Sequence, residues 1–171
     1  MSLQDSRPLD PWRWLGVPTL LSLAAAVLFA TPVRLFGLQL PEPVFPLAPA
    51  FAWAVIRPSV LAPVVVLAMG VILDMLWYSP LGLWGVSLLV GYGAVLACRS
   101  MMMGQGRLVL FAWFVIMVLI SMCTGYLITF LDTDSAPSLL AGFWQFLPTV
   151  LLYPFAQRLI DRFEDADVRF R

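Results

Sequence analysis

The sequence predicts an all-α fold, a polytopic membrane helical bundle of about six transmembrane helices. Two observations carry this prediction. The 171 residues are 61% hydrophobic and only 12% charged, whereas soluble domains carry about a quarter of charged residues. The apolar residues also gather into runs, several of which approach the roughly 20 residues that a helix needs to cross a bilayer core of about 30 Å. Lipid is therefore expected to be the main solvent of this chain.

The predicted spans form one integral membrane domain over residues 1–171. They cover residues 15–33, 44–56, 61–77, 81–97, 108–131 and 139–160, followed by a solvated tail over residues 161–171. The first run is too long for the core of a signal peptide, and no cleavage site is followed by a soluble body, so we expect it to be retained. The second run is short and contains Pro46 and Pro49, which favours either a broken span or a re-entrant segment.

Arginine positions distinguish six spans from five. The chain contains no lysine, and loop arginines mark the cytoplasmic side of a membrane protein. With six spans, every arginine except Arg34 lies on one side. With five spans, one of the loop clusters of arginine would lie on the side of the membrane opposite the cytoplasm. We therefore expect six spans with both termini in the cytoplasm.

Small residues recur at a spacing of four along several runs, as in Ser22 and Ala26, Ala48 and Ala52, and Ser87 and Gly91. This spacing places them on one face of a helix, where they allow close approach of a neighbouring backbone in lipid. The pattern predicts tight helix packing. It does not distinguish an internal contact from a contact with a partner.

The composition argues against an enzyme. Histidine is absent, which excludes histidine-based acid–base catalysis, Ser-His-Asp triads and histidine metal sites. Without lysine there is no phosphate-binding P-loop. The formal net charge is zero, so no basic surface predicts nucleic-acid binding. We expect no metal, no cofactor and no catalytic residue.

One ionisable residue, Asp74, lies deep in an apolar run and needs a partner, because an isolated carboxylate in a span costs several kcal/mol. Its candidate partners lie on neighbouring segments and are the Arg34 side chain, the hydroxyls of Tyr78 and Ser79, and the amides of Leu81 and Gly82. Three roles are open: a clamp on the turn between the third and fourth spans, a partner-binding or pocket residue, and a proton or ion relay. A relay normally uses further titratable groups, and the spans offer none.

The segment around Asp74 has a recognisable pattern. From Met69 to Ala97 it contains Gly70, Asp74 with Leu76, Pro80-Leu81-Gly82 and Gly91-Tyr92. This pattern resembles the rod shape-determining protein MreD family, as do the proline-rich short span, the run ending at Arg57-Pro58, the chain length and the short charged tail. The resemblance covers about thirty residues closely and most of the chain loosely.

The resemblance implies a bundle similar in fold to the substrate-binding subunits of energy-coupling vitamin transporters. It also implies a subunit of the bacterial elongation complex in the cytoplasmic (inner) membrane. Its partners would be MreC, the cell-wall synthase pair (a SEDS glycosyltransferase and a class B penicillin-binding protein) and MreB filaments. The corresponding motif positions, structural or partner-binding, are Gly70, Asp74, Pro80, Leu81, Gly82 and Arg34.

The residues themselves leave two functions open. A small bundle without catalytic groups suits a scaffold that binds another protein and supports peptidoglycan synthesis and cell shape. It also suits a small-molecule-binding subunit of a membrane transporter, with a pocket capped by the loop from Gly37 to Phe45. Polar groups for such a pocket would come from Asp74, Arg34, Gln39 and Glu42.

Overall fold

The computed structural model describes residues 12–30, 34–35, 38–39, 42–56, 59–102, 104–133 and 138–168. A π-helical turn, Trp12–Gly16, leads into the first α-helix, and a 3-10 turn, Arg99–Met101, follows the fourth. The α-helices are α1 (Val17–Phe29), α2 (Leu47–Ile56), α3 (Leu61–Leu76), α4 (Leu83–Ala97), α5 (Arg107–Thr133), α6 (Leu139–Val150) and α7 (Tyr153–Val168). Two strands of two residues each, β1 (Arg34–Leu35) and β2 (Leu38–Gln39), pair antiparallel. The predicted all-helical architecture is confirmed, with this small hairpin as an addition.

Within the part of the chain that the structure describes, two helical segments are long and apolar enough to cross a membrane: Arg107–Thr133, and Leu139–Arg162, which joins α6 to the first part of α7. Four further apolar helices are shorter, at 10–17 residues. The break between α6 and α7 falls between Pro148 and Pro154, whose rings remove backbone donors and interrupt regular helical hydrogen bonding.

The helix bounds differ from the predicted spans at several places, of which two change the second and the last segments. The second span begins with a non-helical segment, because α2 starts only at Leu47. The final helix continues to Val168, through most of the predicted tail. Side-chain bonds at a spacing of four support this continuation: the Tyr153 hydroxyl bonds to Gln157 and the Gln157 amide donates to Asp161 at 2.7 Å.

Helix α2 lies in the core, with every residue from Leu47 to Ala54 buried. It packs against α4 and α7, and Phe51 meets Phe114 of α5 edge to face. The Arg99 side chain donates hydrogen bonds to the carbonyls of Val55 (2.9 Å) and Ile56 (3.0 Å). These carbonyls end α2 and lack helical partners, so the guanidinium caps this half-buried end with a favourable charge.

Helix α4 is central because its small residues admit α3 on one side and α5 on the other. A Cβ built at Gly70 would lie 2.4 Å from the Cα of Gly85, so the α3 and α4 backbones are in direct contact. A Cβ at Gly91 would overlap Ser121 of α5. The predicted tight packing at Ser87 and Gly91 is therefore confirmed, and both residues serve contacts within the chain.

Candidate functional site

The turn joining α3 to α4 is organised around Asp74, which lies in the last turn of α3 and is 1% exposed. Its carboxylate accepts three hydrogen bonds. Oδ1 accepts from the Ser79 hydroxyl (3.1 Å) and the Trp84 amide (2.9 Å), and Oδ2 accepts from the Gly82 amide (2.8 Å). The Asp74 carbonyl also accepts from the Ser79 amide at 3.0 Å. We call this set of contacts the Asp74 clamp.

The clamp satisfies both the carboxylate and the start of α4. The first amides of a helix have no partner within the helix and carry partial positive charge, so they stabilise an anion. Hydrogen bonds to an ionised acceptor are about twice as strong as neutral ones. Asp74 therefore caps α4 from the neighbouring helix. The residue before α4, Gly82, makes no side-chain cap of its own.

The predicted partners of Asp74 are partly confirmed. The Ser79 hydroxyl and the Gly82 amide bind it as expected, but the amide of Trp84, rather than that of Leu81, supplies the third bond. The sequence analysis missed Trp84 because it started the helix at Leu81, whereas α4 begins at Leu83. The Arg34 side chain lies outside the described residues.

The backbone of the turn uses unusual conformations. Gly82 has φ of 97° and Tyr78 has φ of 52°. Glycine adopts positive φ readily, whereas a bulky residue there is an outlier that the surroundings must hold in place. Pro80 closes the turn by accepting a hydrogen bond from the Leu83 amide at 3.1 Å. Two large side chains of the turn point outward: Tyr78 is 97% exposed and Leu81 is 74% exposed.

Gly70 positions the clamp from one helical turn below Asp74. Its contact with Gly85 brings α3 within backbone distance of α4, and this close approach lets the carboxylate reach the amides at the start of α4. The turn between α3 and α4 therefore brings together four of the predicted motif residues: Gly70, Asp74, Pro80 and Gly82. Leu81 belongs to it as an exposed side chain.

Aromatic rings and Glu42 surround the clamp. The rings of Trp77 and Trp84 meet edge to face, with centroids 5.2 Å apart. Glu42 Oε2 and Trp77 Nε1 are buried, and neither completes a hydrogen bond to the described residues. Burial raises the pKa of Glu42, and the neighbouring Trp77 indole lowers it by a smaller amount. The Glu42 carbonyl accepts from the Gln145 amide at 3.2 Å, which ties this segment to α6.

Two adjoining cavities lie between α5 and α6. The larger, about 700 Å³, is walled almost entirely by apolar side chains such as Leu119, Leu127 and Phe143. The smaller, about 340 Å³, reaches the start of α4 at Leu83 and Trp84. Together they form what we call the α5–α6 groove. Its smaller cavity meets the Asp74 clamp at Trp84.

Among the described residues, no group of three or more His, Cys, Asp or Glu side chains is placed to hold a metal ion.

No protein-family model matches this chain, and neither a curated protein nor a solved structure matches it.

Proposed function

We propose that this chain is a non-enzymatic membrane scaffold subunit of the bacterial cell-elongation (rod) complex, which binds MreC and supports peptidoglycan synthesis and cell-shape maintenance. The MreD-like pattern around Asp74 motivates the assignment. The Asp74 clamp supports the assignment for two reasons. One rigid turn gives a structural role to the motif residues Gly70, Asp74, Pro80 and Gly82. The carboxylate needs no catalytic role, because its hydrogen bonds hold this turn.

In this proposal the apolar helices form six membrane-embedded segments: α1, α2, α3, α4, α5, and α6 joined to α7. Two of them have full spanning length. Many large apolar side chains on the described helices face outward, including Leu20, Leu28, Val64 and Leu119. Exposed apolar surface of this kind marks contact with lipid or another protein. The arginine distribution favours both termini in the cytoplasm.

The observation that carries the scaffold proposal is the outward presentation of Tyr78 and Leu81 on a turn fixed by Asp74. Positive φ at a tyrosine costs of order 1–3 kcal/mol and persists only where the structure enforces it. A rigid aromatic and a neighbouring leucine provide contact area with little loss of conformational freedom on binding. With six spans this turn lies on the outer face, where the periplasmic protein MreC is available.

The remaining partners would bind elsewhere on the chain. The synthase pair consists of membrane proteins and would contact the apolar helix faces. MreB filaments are cytoplasmic and would meet the side that carries Arg99 and Arg107. The Asp74 turn is thus assigned to MreC alone.

The proposal is tested by measuring MreC binding to the purified chain in lipid nanodiscs. Tyr78→Ala combined with Leu81→Ala should weaken binding by about tenfold or more, as expected for an exposed aromatic anchor. Val60→Ala is the matched control, since Val60 is 90% exposed at the opposite end of α3. Equal affinity of the double variant and the wild type would contradict the assignment of this turn to MreC.

A second candidate, a small-molecule-binding subunit of a transporter, is favoured by the smaller cavity of the α5–α6 groove. Its wall carries polar side chains, among them Thr129, Ser138 and Gln145, and pockets that bind small molecules combine an apolar wall with a few polar groups. The Asp74 carboxylate, expected to line such a pocket, instead binds its own chain. Co-purification of an ATP-driven transport module would favour this function over the scaffold.

A further inference from the structure

The α5–α6 groove has an apolar part and a more polar part, which lies against the start of α4 at Leu83 and Trp84. Its two cavities share Met122, Tyr126 and Gly142, so they form one continuous depression. The larger part is lined by apolar side chains and opens sideways, with Leu127, Leu139 and Phe143 exposed. This opening faces the lipid if the helices lie in a membrane.

The smaller part offers hydrogen-bonding groups. Four residues with polar side chains line it: Tyr126, Thr129, Ser138 and Gln145. Thr129 already donates to the Gly125 carbonyl at 2.9 Å, and Gln145 donates to the Glu42 carbonyl at 3.2 Å. Among the described residues that line the two cavities, none is Asp, Glu, Lys or Arg. The described lining is therefore apolar where the groove opens sideways and more polar toward the start of α4.

We infer that the α5–α6 groove binds a bilayer glycerolipid, with one acyl chain along the apolar part and the ester region at the polar part. An acyl chain is long, flexible and apolar, which matches the larger cavity. Ester carbonyls accept hydrogen bonds and can take them from the hydroxyls of Tyr126 and Ser138, because the Thr129 hydroxyl already donates its hydrogen to Gly125. A helix from another protein fits less well, because its backbone polar groups are already bonded internally and need no partner from the groove.

Gly142 lines both cavities and has no side chain to fill them. A Cβ built there meets no heavy atom within 4 Å. The Cβ of a leucine at this position would therefore displace none of the protein's own atoms, and the larger side chain would occupy space that a ligand in the groove needs. Gly93 in α4 is equally open and exposed, so Gly93→Leu is a matched control that adds the same side chain to a helix face outside the groove.

The test uses the purified full chain in mild detergent, stripped of lipid and titrated with phosphatidylglycerol or phosphatidylethanolamine while native mass spectrometry counts bound lipids. The wild type and Gly93→Leu should bind a first lipid about tenfold more tightly than later ones, and Gly142→Leu should lose that preference. Tyr126→Phe should weaken the first binding by a smaller factor. Similar results with both phospholipids would place the recognition in the shared acyl and ester region, whereas a preference for one would extend it to the headgroup.

Three results would overturn the inference. The first is equal lipid binding by Gly142→Leu and the wild type, with circular dichroism showing that both are folded. The second is retention of a small non-lipid molecule in the groove. The third comes from benzoylphenylalanine placed at Phe143 in native membranes: a protein adduct there, in place of a lipid adduct, would identify a helix as the occupant.

Discussion

The carboxylate of Asp74 in α3 accepts a hydrogen bond of 2.9 Å from the backbone amide of Trp84 in α4. This bond joins the end of one apolar helix to the start of the next. It also explains how a carboxylate that is 1% exposed persists in an apolar run, because the amides at the start of α4 replace water as its partners.

Asp74→Asn should destabilise the fold. The amide keeps the shape of the side chain but has only one acceptor oxygen, so at least one of the Gly82 and Trp84 amides loses its partner. A buried donor left unpaired costs about 1–3 kcal/mol. The measurement is denaturant or thermal unfolding in detergent. Asp132→Asn, at an exposed position near the end of α5, is the control and should leave the unfolding midpoint unchanged.

Gly82→Ala should destabilise the turn through the backbone alone. A Cβ at Gly82 would meet no heavy atom within 4 Å, but φ is 97°, so the expected cost of about 1–2 kcal/mol is conformational. Gly82→Asn should cost less, because asparagine tolerates positive φ better than other residues with a side chain. Equal unfolding midpoints for the glycine and alanine proteins would show that the turn relaxes at no cost.

Gly70→Ala should separate α3 from α4. The new methyl would lie 2.4 Å from the Cα of Gly85, and backbone cannot yield as a flexible side chain can. Overpacking typically costs about 1–3 kcal/mol, and the shift should also weaken the clamp at Gly82. Hydrogen exchange of the Gly82 and Trp84 amides measures this directly, since both should exchange faster. Gly93→Ala meets no atoms and serves as the control.

Glu42 should make stability depend on pH. Burial raises its pKa in the folded protein, so the fold favours the protonated form. The favourable contribution is complete below the unfolded pKa of about 4.3 and is lost as the pH rises through the raised folded value. Glu42→Gln cannot ionise. The unfolding temperature of the wild type should therefore fall relative to this variant between acidic and neutral pH, and a constant difference would contradict the burial of the carboxylate.

The sequence was sufficient to predict that Asp74 needs hydrogen-bond partners, and a clamp on the turn was one of the three roles that it left open. An acidic residue in an apolar run must find donors, and Ser79 and the start of the next helix are the nearest ones in the chain. Pro80 and the following glycine marked the turn. The start of α4 could be placed only to within two residues. Because of this difference, the amide of Leu81 was predicted as a partner of Asp74 in place of the amide of Trp84.

Contacts between segments distant in the chain could not be predicted in the same way. The bond from Arg99 to the end of α2 depends on which helix ends lie side by side, and loop charge indicates only the side of the membrane. The contact between Gly70 and Gly85 requires the crossing point of α3 and α4. The α5–α6 groove arises where Gly142 faces α5, a relationship set by tertiary packing.

Affinity capture of the tagged wild-type chain from native bacterial membranes, with Asp74→Ala alongside, tests the scaffold proposal most directly. Proteins that co-purify are identified by mass spectrometry. The proposal predicts that MreC is recovered with the wild type and lost or strongly reduced with Asp74→Ala, at a temperature where both proteins are folded. Recovery of an ATP-driven transport module in place of MreC, or equal recovery of MreC by both proteins, would contradict it.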